Sequence, residues 1–365
     1  MKRDPSTILR LLSLACFVVL LGCAAWSWHV MGLLPRTWAL LGICVAFGLV
    51  AALGGLLGAR GTLAGLATIL CLALGFTFTS QSLLRLAPTG GVRVEGTAIR
   101  RPHSRYVINN IPGATMVHRQ DEFQVRYTMD QSGFRITPTP RDPLGRVTFH
   151  GCSFTFGDGV EDGETFSALL GGRHWPRFKV RNAAVRGWGP ASAYLALEDE
   201  LKQEKPPVMV FYGFLIRHIG RSYLSTLNLS VQAGPFPHFE MEGDRLVLKG
   251  YVTNEAAVMP ADDLVRKSKV VCMGLLREMH RLCQRRKVPF FVLLLSAPDQ
   301  LPEEVKEIKG RLDAAGVPCL DLSDVAPGAF YPIDGHPTAA WHRAMAERLA
   351  GTPQVRRILR AAAGP

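Results

Sequence analysis

The chain has 365 residues, 48% of them hydrophobic, and its 42 Lys and Arg residues outnumber 30 Asp and Glu residues to give a formal charge of +12. The excess charge is spread out and forms no basic helix with interleaved aromatic residues, which argues against nucleic acid as a partner. The sequence has no phosphate-binding Gly-Lys-Ser/Thr loop, no CxxC pair and no cluster of metal-binding carboxylates, so we expect no metal site and no cofactor.

Three uncharged, mostly apolar runs occupy residues 11–34, 37–59 and 61–84. Each is longer than the roughly 20 residues that cross the hydrocarbon core of a bilayer. The short links between the runs require successive helices to be antiparallel. Residues 1–88 are therefore predicted to be a membrane anchor of three transmembrane helices.

The orientation of this anchor depends on a few charges. Lys2, Arg3 and Arg10 precede the first run and favour a cytoplasmic N-terminus. Three crossings then place the rest of the chain outside, although a basic cluster after the third run favours the opposite orientation. Lipidation at Cys23 is an alternative, weakened by the apolar sequence that continues past it. We predict a multi-pass protein, in a bacterial inner membrane, with an exported domain.

Residues 89–145, called the preface below, are rich in Arg, Pro and Gly and contain short alternating stretches such as FQVRYTMD. Alternation of apolar and polar residues is typical of strands that are buried on one face. The preface is predicted to be a linker that becomes a small strand-rich segment without chemistry of its own.

Residues 146–365 alternate between strand-like and helix-like patterns, apart from an insertion at about 218–261 with a predicted hairpin around Gly243. Such alternation predicts a three-layer α/β/α domain with a mainly parallel sheet. The predicted strands are 146–151, 177–185, 206–214, 288–296 and 317–323. The predicted helices are 163–172, 191–205, 262–287 and 337–350.

Polar groups follow several of these strands, where parallel α/β sheets bind their ligands. Ser153 follows the first strand, a glycine turn at Gly187 follows the second, and Asp334 and His336 precede the last helix. A serine nucleophile needs an adjacent base and preorganised N–H donors. His336 could be that base, with Asp334 fixing its tautomer. Taken alone, Ser153 could equally be a turn residue and Asp334 a helix cap.

Two stretches carry a family resemblance. GCSFTFGDGVEDGETF resembles the first block of the SGNH, or GDSL-like, hydrolases, and YPIDGHPTAAWHRAMAERLA resembles their last block. NAAVRGWGPASAYLALE is similar to the second block, and YTMDQSGFR to the lead-in before many such domains. The resemblance implies Ser153 as nucleophile, His336 as base and Asp334 as its orienting acid. It also implies an oxyanion hole formed by the backbone N–H groups of Ser153 and Gly187.

The first and third blocks diverge from the family pattern. Cys152 stands where the family has an acidic residue, which affects local hydrogen bonding and not the nucleophile. In the third block, Phe214 and Leu215 occupy the place of an asparagine that donates to the oxyanion. Loss of such a donor can cost about 100-fold to 1000-fold in rate. Arg217 and His218, just downstream, are the candidate replacements.

Three other residues are predicted to have no chemical role. His342 is expected on the exposed face of the last helix, and His150 is expected to point from a strand into the packing. Cys152 is expected to be a small buried side chain. These expectations leave the serine and its histidine as the only strong nucleophile and base candidates.

The resemblance implies a membrane-anchored serine esterase that removes O-acyl groups from an exported glycan, lipid or acylated small molecule. An O-acyltransferase could use the same triad if a sugar hydroxyl replaced water. It would need an acyl-donor or envelope partner protein, because the anchor is small for a donor transporter. A third hypothesis, motivated by the missing asparagine, is an SGNH-like domain that binds its ligand without turnover.

Overall fold

The computed structural model describes residues 93–96, 98–223, 236–252 and 261–364. The chain divides into two compact units, Met1–Thr89 and Gly90–Pro365, and all described residues belong to the second unit. The three predicted transmembrane helices therefore lie outside the described residues. Within the described ranges, no helix combines the length and apolar character that a bilayer crossing requires.

The described part of the preface consists of short antiparallel strands. They are β1 (Arg93–Gly96), β2 (Arg100–His103), β3 (Val107–Asn110), β4 (Thr115–Arg119) and β5 (Gln124–Thr128). β4 pairs with both β1 and β5, whereas β2 pairs with β3. Alternate residues of β4 and β5 are buried, among them Met116 and Tyr127, which face each other across the pair. Their core also includes Phe156 and Ala184, so the preface packs directly on the following domain.

The following domain contains a five-stranded sheet, which confirms the predicted α/β class. Its strands are β6 (Arg146–His150), β7 (Lys179–Asn182), β8 (Met209–Phe214), β11 (Phe290–Leu295) and β12 (Cys319–Leu322). The order is β12-β11-β8-β6-β7, and every neighbouring pair is parallel. All six residues of β8 are buried, as its continuous apolar sequence predicts for a strand covered on both faces.

Helices accompany the sheet on both faces. In chain order they are α1 (Ser153–Phe156), α2 (Phe166–Leu169), α3 (Pro190–Leu201), α4 (Ala261–Arg285), α5 (Pro302–Ala314), α6 (Ala339–Gly351) and α7 (Pro353–Ala363). Val210, Tyr212 and Phe214 of β8 pack in a core with α3, α4 and α5. Met209 and Phe211, which point the other way, pack in a second core with α6 and α7. The two cores define the three α/β/α layers.

Several elements differ from the sequence prediction. The second strand is only four residues long, and α2 is one turn that continues into a π-helical segment at Leu170–His174. Helix α5 was not predicted, although Pro302 begins it and Glu303 and Glu304 occupy its first turn, where acidic side chains are favourable. The residues that follow α6 form a further helix, α7, whose Val355 and Leu359 are buried in the second core.

The predicted hairpin of the insertion is present. β9 (Phe236–Glu242) and β10 (Arg245–Val252) are antiparallel and joined at Gly243, whose φ is +58°. A glycine tolerates this left-handed conformation without steric cost. Phe236 and Phe239 of the hairpin pack against Leu275 of α4, which attaches the insertion to one face of the domain.

Candidate active site

Ser153 lies at the carboxyl end of β6, where the chain turns at once into the short helix α1. The turn is tight because two glycines leave room for Thr155. A Cβ on Gly151 would lie 2.3 Å from Thr155 Oγ1, and a Cβ on Gly213 would lie 2.1 Å from the same atom. Any larger residue at either position would push α1 away from the strand ends. The two glycines therefore fix the position of the Ser153 backbone relative to the strand ends.

His336 and Asp334 approach Ser153 from the loop before α6. His336 Nε2 lies 2.8 Å from Ser153 Oγ, and His336 Nδ1 lies 2.5 Å from Asp334 Oδ2. Burial alone would raise the pKa of Asp334, but the hydrogen bond and charge of His336 hold it below its ordinary value. The structure thus brings together the three residues that the sequence singled out, in the order serine, histidine, carboxylate.

The loop that carries His336 is held by the preface. The carboxylate of Glu122 accepts hydrogen bonds from the backbone N–H of Asp334 at 2.7 Å and of Ile333 at 3.0 Å. The side chain of Gln120 also hydrogen-bonds Asp334 and helps to lower its pKa. The preface thus contributes no reactive residue, but Glu122 and Gln120 contact the carboxylate loop behind His336. No local pattern around Glu122 distinguishes it from other surface glutamates.

The segment after Ser153 is held by a buried guanidinium from the end of the preface. Arg135 is 1% exposed and donates to the carbonyl oxygens of Phe156 at 2.8 Å and Val160 at 2.5 Å. It also donates to the carbonyl of Gly157, and its Nε lies 3.0 Å from Asp162 Oδ1. Arg135 therefore stabilises the turn that follows the nucleophile. Arg135 is the last residue of the lead-in YTMDQSGFR, whose sequence alone does not indicate this contact.

A second carboxylate, Asp158, lies in the same turn. Its Oδ2 is 3.9 Å from His336 Nε2, the nitrogen that faces Ser153. Asp158 is 3% exposed, and its Oδ2 accepts a hydrogen bond from Arg186 Nε at 2.6 Å. Asp158 lies inside the first block, only five positions after Ser153, but no motif in the sequence distinguishes it as a site residue.

The two backbone N–H groups that are expected to form the oxyanion hole lie in different turns. The N–H of Ser153 lies in the first turn of α1, and Gly187 adopts a φ of +91° in the turn between β7 and α3. The positive φ explains why a glycine is favoured at this position. Both groups belong to turns at the carboxyl edge of the sheet, as the resemblance implies, and their roles remain predictions.

The two candidate replacements for the missing asparagine differ. His218 is completely buried, its Nδ1 lies 3.0 Å from the hydroxyl of Tyr212, and burial holds its pKa well below the ordinary value. None of its described contacts is with Ser153 or His336. The guanidinium of Arg217 instead lies 5.3 Å from the ring centre of Phe154, whose ring is also 5.3 Å from that of His336. The described contacts thus link Arg217, through Phe154, to His336, and both residues remain candidate donors.

The three residues without a predicted chemical role are all buried. Cys152 is fully buried among apolar side chains, and His150 Nε2 pairs with Glu200 Oε2 at 2.9 Å. The expectation of an exposed His342 was wrong, because this residue is fully buried and stacks on Phe166. Its Nδ1 accepts a hydrogen bond from the N–H of Phe166, and burial lowers its pKa to about 3. Because histidine is polar, the sequence did not indicate that His342 lies on the buried face of α6.

Comparison with known proteins finds no matching family model and no matching curated protein. Among solved structures, the chain is similar to a member of the lipolytic protein G-D-S-L family from Veillonella parvula DSM 2008, with 12% identity over 57% of this chain and 98% of that chain and a TM-score of 0.38. It is similar to a catalytic mutant of an acetylxylan esterase from Geobacillus stearothermophilus, with 13% identity over 60% and 99% of the two chains and a TM-score of 0.33.

A third similar structure is a family two carbohydrate esterase from Cellvibrio japonicus, with 11% identity over 75% of this chain and 84% of that chain and a TM-score of 0.37. Because the TM-scores are below 0.5, the likenesses carry no argument about activity or substrate.

Proposed function

We propose that this chain is a serine ester hydrolase of SGNH type. The observation that supports this proposal best is the contact of 2.8 Å between Ser153 Oγ and His336 Nε2, with Asp334 on the other ring nitrogen at 2.5 Å. A serine hydroxyl becomes a useful nucleophile when an adjacent base can accept its proton. The carboxylate on Nδ1 keeps the imidazole in the tautomer that can do so.

The reaction follows from these contacts. Ser153 Oγ attacks the acyl carbon of an ester while its proton passes to His336 Nε2, and the carbonyl oxygen becomes an oxyanion. The imidazolium then returns the proton to the departing alcohol, which leaves an acyl group on Ser153. Water repeats the sequence, with His336 again accepting a proton, and releases a carboxylic acid and free Ser153. Asp334 stabilises the imidazolium in both halves without itself becoming protonated.

Three groups are proposed to stabilise the oxyanion. They are the backbone N–H groups of Ser153 and Gly187 and the guanidinium of Arg217. Arg217 is partly exposed and paired with Asp299 at 2.7 Å, and it stacks on Phe154 beside His336. A charged donor at this place would compensate for the missing asparagine, since preorganised donors are usually the largest electrostatic contribution to acyl transfer.

The proposed substrate is an O-acylated glycan, lipid or small molecule outside the cytoplasm. The support is the predicted anchor of residues 1–88, whose charge pattern favours export of the domain. The proposed location is a bacterial inner membrane with the active site on its outer side. A sugar hydroxyl in place of water in the second step would make the same residues an O-acyltransferase, which the experiment below separates.

The test is hydrolysis of p-nitrophenyl acetate by the full chain purified in detergent. Ser153→Ala and His336→Ala are each expected to lower kcat/KM at least about 1000-fold, because triad members act as a unit. Ser132→Ala, at an exposed serine of the preface, is the matched control and should retain wild-type activity. Equal, near-background rates in folded samples of all four proteins would contradict hydrolysis. An isotopically labelled acyl group found on an added glycan, and not as free acid, would indicate the transferase.

A further inference from the structure

The nitrogen of His336 that faces Ser153 also faces a buried carboxylate outside the triad. Asp158 Oδ2 is 3.9 Å from His336 Nε2, whereas Asp334 contacts the opposite ring nitrogen. Nε2 is the atom that receives the proton of Ser153 in the proposed reaction. The imidazole therefore lies between two carboxylates, one behind each nitrogen.

Asp158 is held in place by residues from two parts of the chain. The hydroxyl of Tyr127 donates to Asp158 Oδ1 at 2.5 Å, and His118 Nδ1 is 3.4 Å from the same oxygen. Arg186 donates to Oδ2 at 2.6 Å from the turn after β7. The N–H of Gly159 donates to the Tyr127 hydroxyl at 2.8 Å, which leaves that hydroxyl proton for Asp158. A buried carboxylate with this many donors is fixed in position and has little freedom to rotate.

The same contacts keep Asp158 ionised. Burial alone would raise the pKa of Asp158, but hydrogen bonds from His118 and Tyr127 and the nearby charges of Arg186 and His336 hold it well below its ordinary range. The side-chain amide of Gln120 donates a hydrogen bond to His118 Nε2. Among the described residues, Arg186 is the arginine in direct contact with Asp158.

We propose that Asp158 is a second carboxylate for His336, a positioning residue that stabilises the imidazolium formed when Ser153 attacks the ester. The proposal rests on the proposed function. Attack places a positive charge on the ring, and a negative charge about 4 Å from Nε2 interacts with that charge more strongly in a buried site than in water. The distance is too long for a direct hydrogen bond, so Asp158 does not compete with Ser153 for the nitrogen.

Other polar and charged groups near His336 modify this effect. The groups that face the ring or its two carboxylates come from the preface, the turn after α1, the turn after β7, the segment after β8, the loop before α6 and α6 itself. They are Arg100, His118, Gln120, Glu122, Tyr127 and Arg135, then Asp158, then Arg186, then Arg217, then Tyr331, and finally His342. Only Arg186 contacts Asp158 Oδ2 directly, so Asp158 and Arg186 can be varied with opposite expected effects.

The experiment follows the titration of His336 by NMR in the full chain, with 13C-labelled histidine and the signal assigned with His336→Gln. Asp158→Asn should lower the midpoint of the His336 titration by about one pH unit, because the imidazolium then loses the negative charge that stabilises it. Arg186→Gln should raise the midpoint, because Asp158 is then less neutralised. The acid limb of kcat/KM should move in the same two directions, and Asp158→Asn should lower the plateau roughly 10-fold or more.

A purely structural role for Asp158 predicts something different. Activity would then fall equally at every pH, and the midpoint of His336 would not move in either variant, which would overturn the proposal. If Asp158→Asn does not fold, Arg186→Gln decides alone, since its side chain reaches the surface and its removal leaves the carboxylate bonded to Tyr127. The NMR midpoint does not depend on turnover. An unmoved midpoint in an active enzyme refutes this proposal and leaves the proposed function. Absent Ser153-dependent hydrolysis together with a midpoint that still moves refutes the proposed function and leaves only the electrostatic coupling of Asp158 to His336.

Discussion

The preface and the sheet domain contribute to the candidate site in different ways. The sheet domain carries Ser153, Asp334 and His336 on short turns at the carboxyl edge of the sheet. The preface carries none of them, but its Glu122 and Arg135 hold the two turns on which they lie. The reactive groups and these two supporting groups therefore come from different segments of the chain. A segment without a recognisable motif can therefore still contribute to the geometry of the site.

The largest expected effect comes from removing the buried guanidinium of the preface. Arg135→Met would remove the guanidinium donor from the carbonyls of Phe156, Gly157 and Val160 and from the carboxylate of Asp162. Phe156 O would keep Asn182 as a donor, and Asp162 would keep the N–H of Thr128. Breaking a buried, hydrogen-bonded charge in this way costs about 3–5 kcal/mol. We expect a loss of that size in the free energy of unfolding, measured with denaturant.

The matched control for this change is Arg126→Met, at an exposed arginine on β5. Its side chain should contribute little, as is usual at the surface. A loss below about 1 kcal/mol for Arg135→Met would break the comparison, because the preface would then not be needed to hold the turn after Ser153.

A charge network of the sheet domain should affect stability without affecting catalysis. Glu200 of α3 is buried, and it hydrogen-bonds His150 at 2.9 Å, Thr148 at 2.8 Å and Arg181 at 3.1 Å. Although burial opposes the charge, His150, Arg181 and Arg146 lower the pKa of Glu200 to about 2 from 4.5. The stabilisation is therefore present above about pH 4.5 and is lost as the pH falls toward 2.

Glu200→Gln should accordingly cost about 3 kcal/mol at pH 7 and flatten the loss of stability between pH 4.5 and 2. Measurements of unfolding at several pH values test this, with the exposed Glu204→Gln as control. The folded variant should keep its kcat, since no described contact joins Glu200 to the triad. A large fall in kcat with unchanged stability would contradict the division between the two regions.

The smallest of the three effects should be on catalysis alone. Glu122→Ala removes the acceptor of the N–H groups of Ile333 and Asp334 in a loop that is half open to solvent. We expect kcat to fall about 10-fold, since one charge-assisted hydrogen bond of about 1.5–3 kcal/mol positions the acid behind His336. Steady-state kinetics with Glu122→Gln, which keeps one acceptor oxygen, should show partial recovery.

Asp121→Ala is the neighbouring control, because Asp121 is exposed. If Glu122→Ala and Asp121→Ala behave alike in kcat, the preface does not position the His336 loop. If Glu122→Ala instead loses stability as much as Arg135→Met, its role is general packing and not support of the site.

The reactive residues could be predicted because their arrangement is local. Gly151 and Ser153 adjoin one strand end, and Asp334 and His336 are two positions apart before a helix, so short sequence patterns carry most of the geometry. The parallel sheet was also predictable, since β8 and β11 are almost continuously apolar. In such segments, local sequence and tertiary environment favour the same structure.

The supporting contacts could not be predicted for the opposite reason. The partner of Glu122 is 212 positions away, and that of Arg186 is 28 positions away, so neither pair produces a periodic signal. His342 shows the same limit. It lies on the buried face of α6, but a histidine is not counted among the apolar residues from which such a face is predicted. Contacts of this kind follow from how distant segments of the chain pack together, which hydrophobic patterns do not specify.

The most direct test of the central claim is the mass of the intact chain after reaction with a fluorophosphonate, followed by peptide mapping. We expect one covalent adduct, located on Ser153. It should be absent from Ser153→Ala and should form much more slowly in His336→Ala. Adduct formation requires a nucleophile activated by a neighbouring base, whatever the natural acyl group is. Labelling of another residue, or equal labelling of wild type and Ser153→Ala, would contradict the assignment of Ser153 as the nucleophile.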